Sequence, residues 1–214
     1  MRADFIGIDL TSSSRKPSAY VGLSTELQIS LGFLQTDSQI IAAVEQNRPA
    51  LVAIDAPLGL PKGLCCLEES CPCQPLSPSQ KRVCESQLAG LGIPCFFTTK
   101  KSIIKEMVYR AIKLKDELSE RGYQVIEVYP YASKVRLFGK PIPSKLKPQG
   151  LKFLQEHLVS LIPDLAQSRE KLNHDLCDAA LAAYTAYLYY QGKAELLGDE
   201  EEGQIVIPAL KEGI

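Results

Sequence analysis

The sequence has almost no overall electrostatic bias. Its 24 basic and 25 acidic side chains leave a net charge of −1, so the chain as a whole is not drawn to a polyanion, and any basic surface has to be local. It also has no apolar run approaching the ~20 residues that a membrane-spanning helix needs, so no membrane partner is expected. The opening MRADFIGIDL lacks the long apolar core and small-residue cleavage site of a secretory leader, and a cytoplasmic protein is expected. No segment repeats another. Seven cysteines, an odd number without an export signal, argue against a disulfide framework. What remains is ordinary for a globular chain: 45% hydrophobic and 23% charged residues in a length of 214, enough to bury one core. Residues 1–214 are expected to form one domain.

Apolar runs and their punctuation give a coarse order of elements. FIGIDL (5–10), SAYVGL (18–23) and LQISLGF (27–33) read as three consecutive strands in a meander. A short helix follows from Ser38, and then LVAIDAPLGLP (51–61), a buried-strand pattern stopped by Pro and Gly. Residues 61–96 form a cysteine-rich insertion containing the short helical pattern of SQKRVCESQLAGLG. KKSIIKEMVYRAIKLKDELSERG (100–122) is the longest helical pattern, with Gly122 as its stop. YQVIEVYP (123–130) reads as a fifth strand, after which a basic, proline-punctuated stretch runs to about residue 148. Two helices and a closing extended segment, GQIVIP (203–208), complete the chain. The predicted class is α/β: a mixed five-stranded sheet flanked by helices, in an order that fits an RNase H-like layout.

Acids fall at the ends of these elements. Asp9, Asp55 and Glu127 each follow an apolar run, FIGI, LVAI and YQVI. If those strands are parallel neighbours, their C-terminal ends share one edge, where open α/β sheets place their ligand sites. In NHDLCDAALAAYTAYLYY (173–190), Asp175 and Asp178 stand three apart and so share one side of a helix. Asn173 is a natural N-cap and an acid in the first turn favours the helix dipole, which accounts for Asp175 without a site. Asp178, a turn further in, is harder to explain that way. Carboxylates gathered at ~4 Å repel by ~4 kcal/mol at an effective dielectric of 20. A hard divalent cation with oxygen ligands, Mg²⁺ or Mn²⁺, offsets that repulsion.

IGIDL, AIDAPLGLP, R-x-C-E-x-x-L (82–88), EVYP and HDLCDAALAAYTA followed by GDEEEGQIVIP resemble the domain of unknown function 429 family, described as predicted nucleases with an RNase H-like fold. The pattern of an early Asp, a middle Glu and a late D-x-x-D is also similar to that of Holliday-junction resolvases of the RuvC type, which bind two Mg²⁺. The resemblance implies a metal-dependent nuclease that hydrolyses phosphodiesters by a two-metal carboxylate mechanism, with Asp9, Glu127, Asp175 and Asp178 catalytic and metal-binding and Asp55 a further ligand. Arg82 and Glu85 match the motif after the insertion and would line the site. An alternative in the same fold class is an ATP-binding phosphotransferase of the actin and sugar-kinase kind, since IGIDLTSSS is similar to a first phosphate loop. Against it, Leu10 and Thr11 stand where that loop has its glycine, and no second phosphate loop or adenosine motif is found. A non-catalytic nucleic-acid-binding module is the third reading.

Two further features bear on partners. From Val128 to Gln155 there is no acidic residue, while Lys134, Arg136, Lys140, Lys145, Lys147 and Lys152 fall in that interval. With Arg82, Lys100 and Lys101 they are candidates for holding a DNA or RNA backbone, and Tyr129, Tyr131 and Phe138 for stacking bases. A solvated surface loop explains the same stretch. Cys65, Cys66, Cys71, Cys73 and Cys84 are candidate Zn²⁺ ligands. Their spacing is not that of paired C-x-x-C knuckles, so a structural Zn²⁺, an iron–sulfur cluster and plain reduced thiols all stay open. DEEE (199–202) is expected to be a solvated turn before the last strand.

Overall fold

The computed structural model describes residues 2–13 and 16–210. Strands β1 (Phe5–Asp9), β2 (Ser18–Leu23) and β3 (Ile29–Leu34) form the expected antiparallel meander. Helix α1 (Asp37–Asn47) then leads to β4 (Leu51–Asp55), which lies parallel to β1. Residues 61–96 contain α2 (Val83–Gly90), and after them come α3 (Lys105–Glu120) and β5 (Val125–Val128), parallel to β4. Helices α4 (Pro130–Phe138) and α5 (Pro148–Leu161), a 3₁₀ segment (Pro163–Lys171) and α6 (His174–Tyr190) precede a closing hairpin of β6 (Ala194–Asp199) and β7 (Gly203–Pro208).

The sheet has seven strands in the order β3-β2-β1-β4-β5-β7-β6. The expected five are the first five of that order. β7 extends them by lying parallel to β5, and β6 closes the edge antiparallel to β7. This is a mixed α/β sheet in the RNase H-like layout. Strand β6, AELLGD, escapes sequence reading because it has no alternating apolar face to announce it.

Alternation along each strand divides the core into two layers. Phe5, Leu51, Ala53, Ile126 and Val128 face α5 and α6. Ile6, Ile8, Val52 and Ile54 face α1 and α3 on the other side. Contact with α6 is close because small residues allow it. A Cβ on Gly7 would stand 2.1 Å from the Ala179 carbonyl oxygen and 2.3 Å from the Ala183 nitrogen. That approach sets the first turn of α6 over the C-terminal end of β1. The helix starts where expected, with the Asn173 side chain accepting the Leu176 N–H at 2.9 Å.

The first part of the stretch after β5 is a helix, and only residues 139–147 are irregular. Pro130 halts the strand and also occupies the first turn of α4, where a missing N–H is harmless. Gly139, at φ +74°, ends it. A hydrogen bond of 2.9 Å between the Ser133 and Thr185 hydroxyls fixes α4 against α6.

Candidate functional site

The parallel register decides which acids meet. Asp9 is the pairing partner of Asp55 at the ends of β1 and β4. Both continue the phase of the residues that face α6, and the first turns of α6 bring Asp178 to the same place. The three carboxylates line one cavity of about 400 Å³ at the C-terminal edge of the sheet. Glu127 is paired with Ile54, one residue earlier, so its side chain leaves the sheet on the α2–α3 face. A one-residue offset sends a side chain to the opposite side. Glu127 therefore reaches the cavity from the other face.

The two sets of acids have opposite electrostatic surroundings. Burial, then the charges of Asp178 and Asp175, push the Asp9 carboxyl up to about 7, although Lys145 and Lys134 oppose the rise. Asp55 is raised well above the usual carboxylate range by burial, then by Asp9 and Asp178. Lys134 Nζ lies 2.5 Å from Asp178 Oδ1, an ion pair by distance that lacks hydrogen-bond angles. Lys134 and Lys145 are two cations against three acids, and of the two only Lys134 is ion-paired with one of them. Asp175 is exposed one turn earlier, touching the site through its charge and not lining the cavity.

On the other face, charge is matched. Arg82, 1% exposed, holds Glu127 in a two-point pair at 2.6 and 2.7 Å, and the Leu58 N–H adds a third bond at 2.7 Å. Burial opposes the guanidinium charge, but the Glu127 carboxylate overcomes it and holds Arg82 above its ordinary range. Glu85 accepts from Arg82 Nε at 3.1 Å and from the Thr98 N–H at 2.9 Å. Glu127 thus has its oxygens engaged by the protein, and Arg82 has its nitrogens spent on carboxylates.

Several cationic candidates lie elsewhere. Lys100 donates to the Cys71 carbonyl at 2.5 Å, and with Lys101 it borders a groove on the insertion, not the acidic cavity. Arg136 pairs with Glu195 at 2.9 Å, tying α4 to β6. Lys140 donates to the Gly92 carbonyl and Phe138 packs on Phe153 and His157 in the core. Part of the basic stretch is therefore taken up by structural contacts. Lys134 and Lys145 do reach the cavity, as do Tyr129 and Tyr131, though the Tyr129 hydroxyl is used on the Pro94 carbonyl. Cys84 is a buried core residue on α2 packed near Gly198, in the cluster that Cys95 packs against and outside the group of Cys65, Cys66, Cys71 and Cys73.

Glu202 was missed by reading DEEE as solvated. Asp199 and Glu201 do pair with Lys62 at the surface, but Glu202 is 1% exposed and accepts the Lys62 N–H at 2.8 Å and the Val83 N–H at 2.6 Å. The second bond places a carboxylate at the start of α2, where the helix dipole favours it. Its backbone fits against Gly59, where a Cβ would stand 2.2 Å from the Glu202 carbonyl oxygen. The available signal was the match of the G-D-x-E-G-like segment to a family motif.

Together these features define an RNase H-like α/β protein with an acidic, cation-deficient sheet edge. The family model "Protein of unknown function (DUF429)" matches residues 7–203, and the chain belongs to that family. No curated protein matches the sequence. Among solved structures, RuvC of Thermus thermophilus is similar at 13% identity, covering 87% of this chain and 95% of that one with a TM-score of 0.42. Among the described residues, no helix is long and apolar enough to cross a membrane.

Proposed function

We propose that the protein is a nuclease dependent on Mg²⁺ or Mn²⁺, with Asp9, Asp55 and Asp178 as the ion-holding carboxylates. The observation that carries this reading is the in-register pairing of Asp9 with Asp55 beside Asp178 in one cavity. The residues fit a hard cation. Their donors are all carboxylate oxygens, and both Asp9 and Asp55 are pushed toward protonation by burial and by neighbouring acids. Among the described residues these oxygens do not close to within 4.8 Å of one another, as the thiols of the insertion do, so some drawing together accompanies binding. When bound, the ion supplies charge neutralisation and Lewis acidity at a phosphate.

The chain's own residues supply the rest. Lys145, exposed at the cavity wall and in no salt bridge among the described residues, is well placed to meet a phosphate oxygen. Lys134 holds Asp178 in place and offers a second positive charge. Phe96 and Tyr131 line the cavity with aromatic surface for a sugar or base. Asp175 adds negative charge at the rim, and Glu127 acts through Arg82 as a support for the site's wall. The test is incubation of the protein with single-stranded, duplex and branched DNA and RNA in Mn²⁺. Cleavage by wild type and its loss in Asp9→Asn are expected. Absence of cleavage on every substrate ends the nuclease reading.

A further inference from the structure

We propose that Cys65, Cys66, Cys71 and Cys73 bind one structural Zn²⁺ as a tetrathiolate that staples the insertion. All four sulfurs lie within 4.8 Å of one another, with Cys65 and Cys71 Sγ 3.5 Å apart, and none is in a disulfide. A tetrahedral ion with Zn–S bonds of ~2.3 Å spaces its sulfurs about 3.8 Å apart, which this cluster meets with small adjustment. An iron–sulfur cube interposes several irons and sulfides and holds its thiolates wider, so a single ion suits the spacing better.

The surrounding chain independently calls for a staple. Residues 61–82 contain no helix or strand, and among residues 62–81 the one buried side chain is Leu67, while Leu76 is 76% exposed. Such a segment has too little apolar surface to hold itself. Its base is nonetheless closed, with the Leu76 N–H bonded to the Lys62 carbonyl at 2.8 Å. The thiols sit inside that closed loop. Around it, the Leu67 N–H donates to the Tyr109 hydroxyl at 2.6 Å, and Lys105 pairs with Glu68 at 3.2 Å. Four thiolates on Zn²⁺ carry a net charge of −2. Lys100, whose ammonium contacts the Cys71 carbonyl, stands where it offsets part of that charge. The insertion runs directly into Arg82 and, through Lys62, to Glu202. A held insertion thereby fixes the matched-charge face of the cavity.

The site is independent of the proposed chemistry, and metal analysis separates the two. Full-length protein purified without added metal is expected to contain about one Zn²⁺ per chain. The double variant Cys65→Ser/Cys71→Ser should lose it, while Cys95→Ser and Asp9→Asn keep it. Because loss of the staple would itself unfold part of the double variant, wild type stripped of metal and refilled with Co²⁺ gives a second readout. Intense thiolate-to-cobalt charge-transfer absorption with tetrahedral visible bands is expected. Wild type that holds no Zn²⁺ and gives octahedral or no cobalt bands overturns the proposal, as does zinc content unchanged by the double substitution.

Discussion

The two faces of the sheet edge treat buried acids in opposite ways. On the α2–α3 side, Glu127 is matched by three short hydrogen bonds, two of them from Arg82, and Glu85 and Glu202 accept from neighbouring N–H groups. On the α6 side, Asp9, Asp55 and Asp178 share Lys134 and Lys145, and two of them are still raised toward protonation. The same residue type thus has its charge answered on one face and left in excess on the other, and the proposed ion site lies where it is in excess. A carboxylate kept without its full complement of cations destabilises the fold, and such positions are retained when something else supplies the charge.

Substitution should separate the faces. Asp9→Asn and Asp55→Asn are expected to reduce Mn²⁺-dependent cleavage by ~10³-fold or more, a loss of ~4 kcal/mol of transition-state stabilisation, with an unchanged or raised melting temperature. A fall in melting temperature matching the loss of activity would erase the distinction. Arg82→Ala should do the reverse. It leaves Glu127 buried and unpaired, and denaturant unfolding should show a loss of ~3–5 kcal/mol.

Acidity gives a third contrast. A carboxyl whose folded pKa is near 7, against about 4 unfolded, binds a proton in the native state over that interval when the unfolded chain does not. Stability of the chelator-treated protein should therefore fall as pH rises from about 4 to 7, by on the order of 2–4 kcal/mol from Asp9 alone. Asp9→Asn should flatten that slope, and saturating Mn²⁺ should reverse it by favouring the ionised form. Glu202→Gln is the mildest case. It keeps one acceptor for Val83 or Lys62 and removes the charge at the α2 start, so a loss of ~1–2 kcal/mol is expected in the same unfolding assay.

Much of this arrangement was legible in the chain. Acids following FIGI and LVAI marked the strand ends, and Asn173 ahead of HDLCDAALAA announced a capped helix. The order of elements was enough to indicate the layout of the first five strands. What could not be read was register. Asp9, Asp55 and Glu127 look equivalent as acids after apolar runs, yet Glu127 is paired one residue short of Asp55 and so leaves from the other face. No local pattern encodes that offset, because it depends on how two strands far apart in sequence align. The basic stretch was legible only in part, for a related reason. Lys134 and Arg136 sit on a helix begun by Pro130, so their partners, Asp178 and Glu195, are set by tertiary packing and not by the local absence of acids.

The division between the faces is tested most directly by a crystal soaked in Mn²⁺, with the ions located by anomalous scattering. Density is expected among Asp9, Asp55 and Asp178, with the Arg82–Glu127 pair intact. Manganese bound by Glu127 with Arg82 displaced, or no manganese at the edge at all, would contradict it.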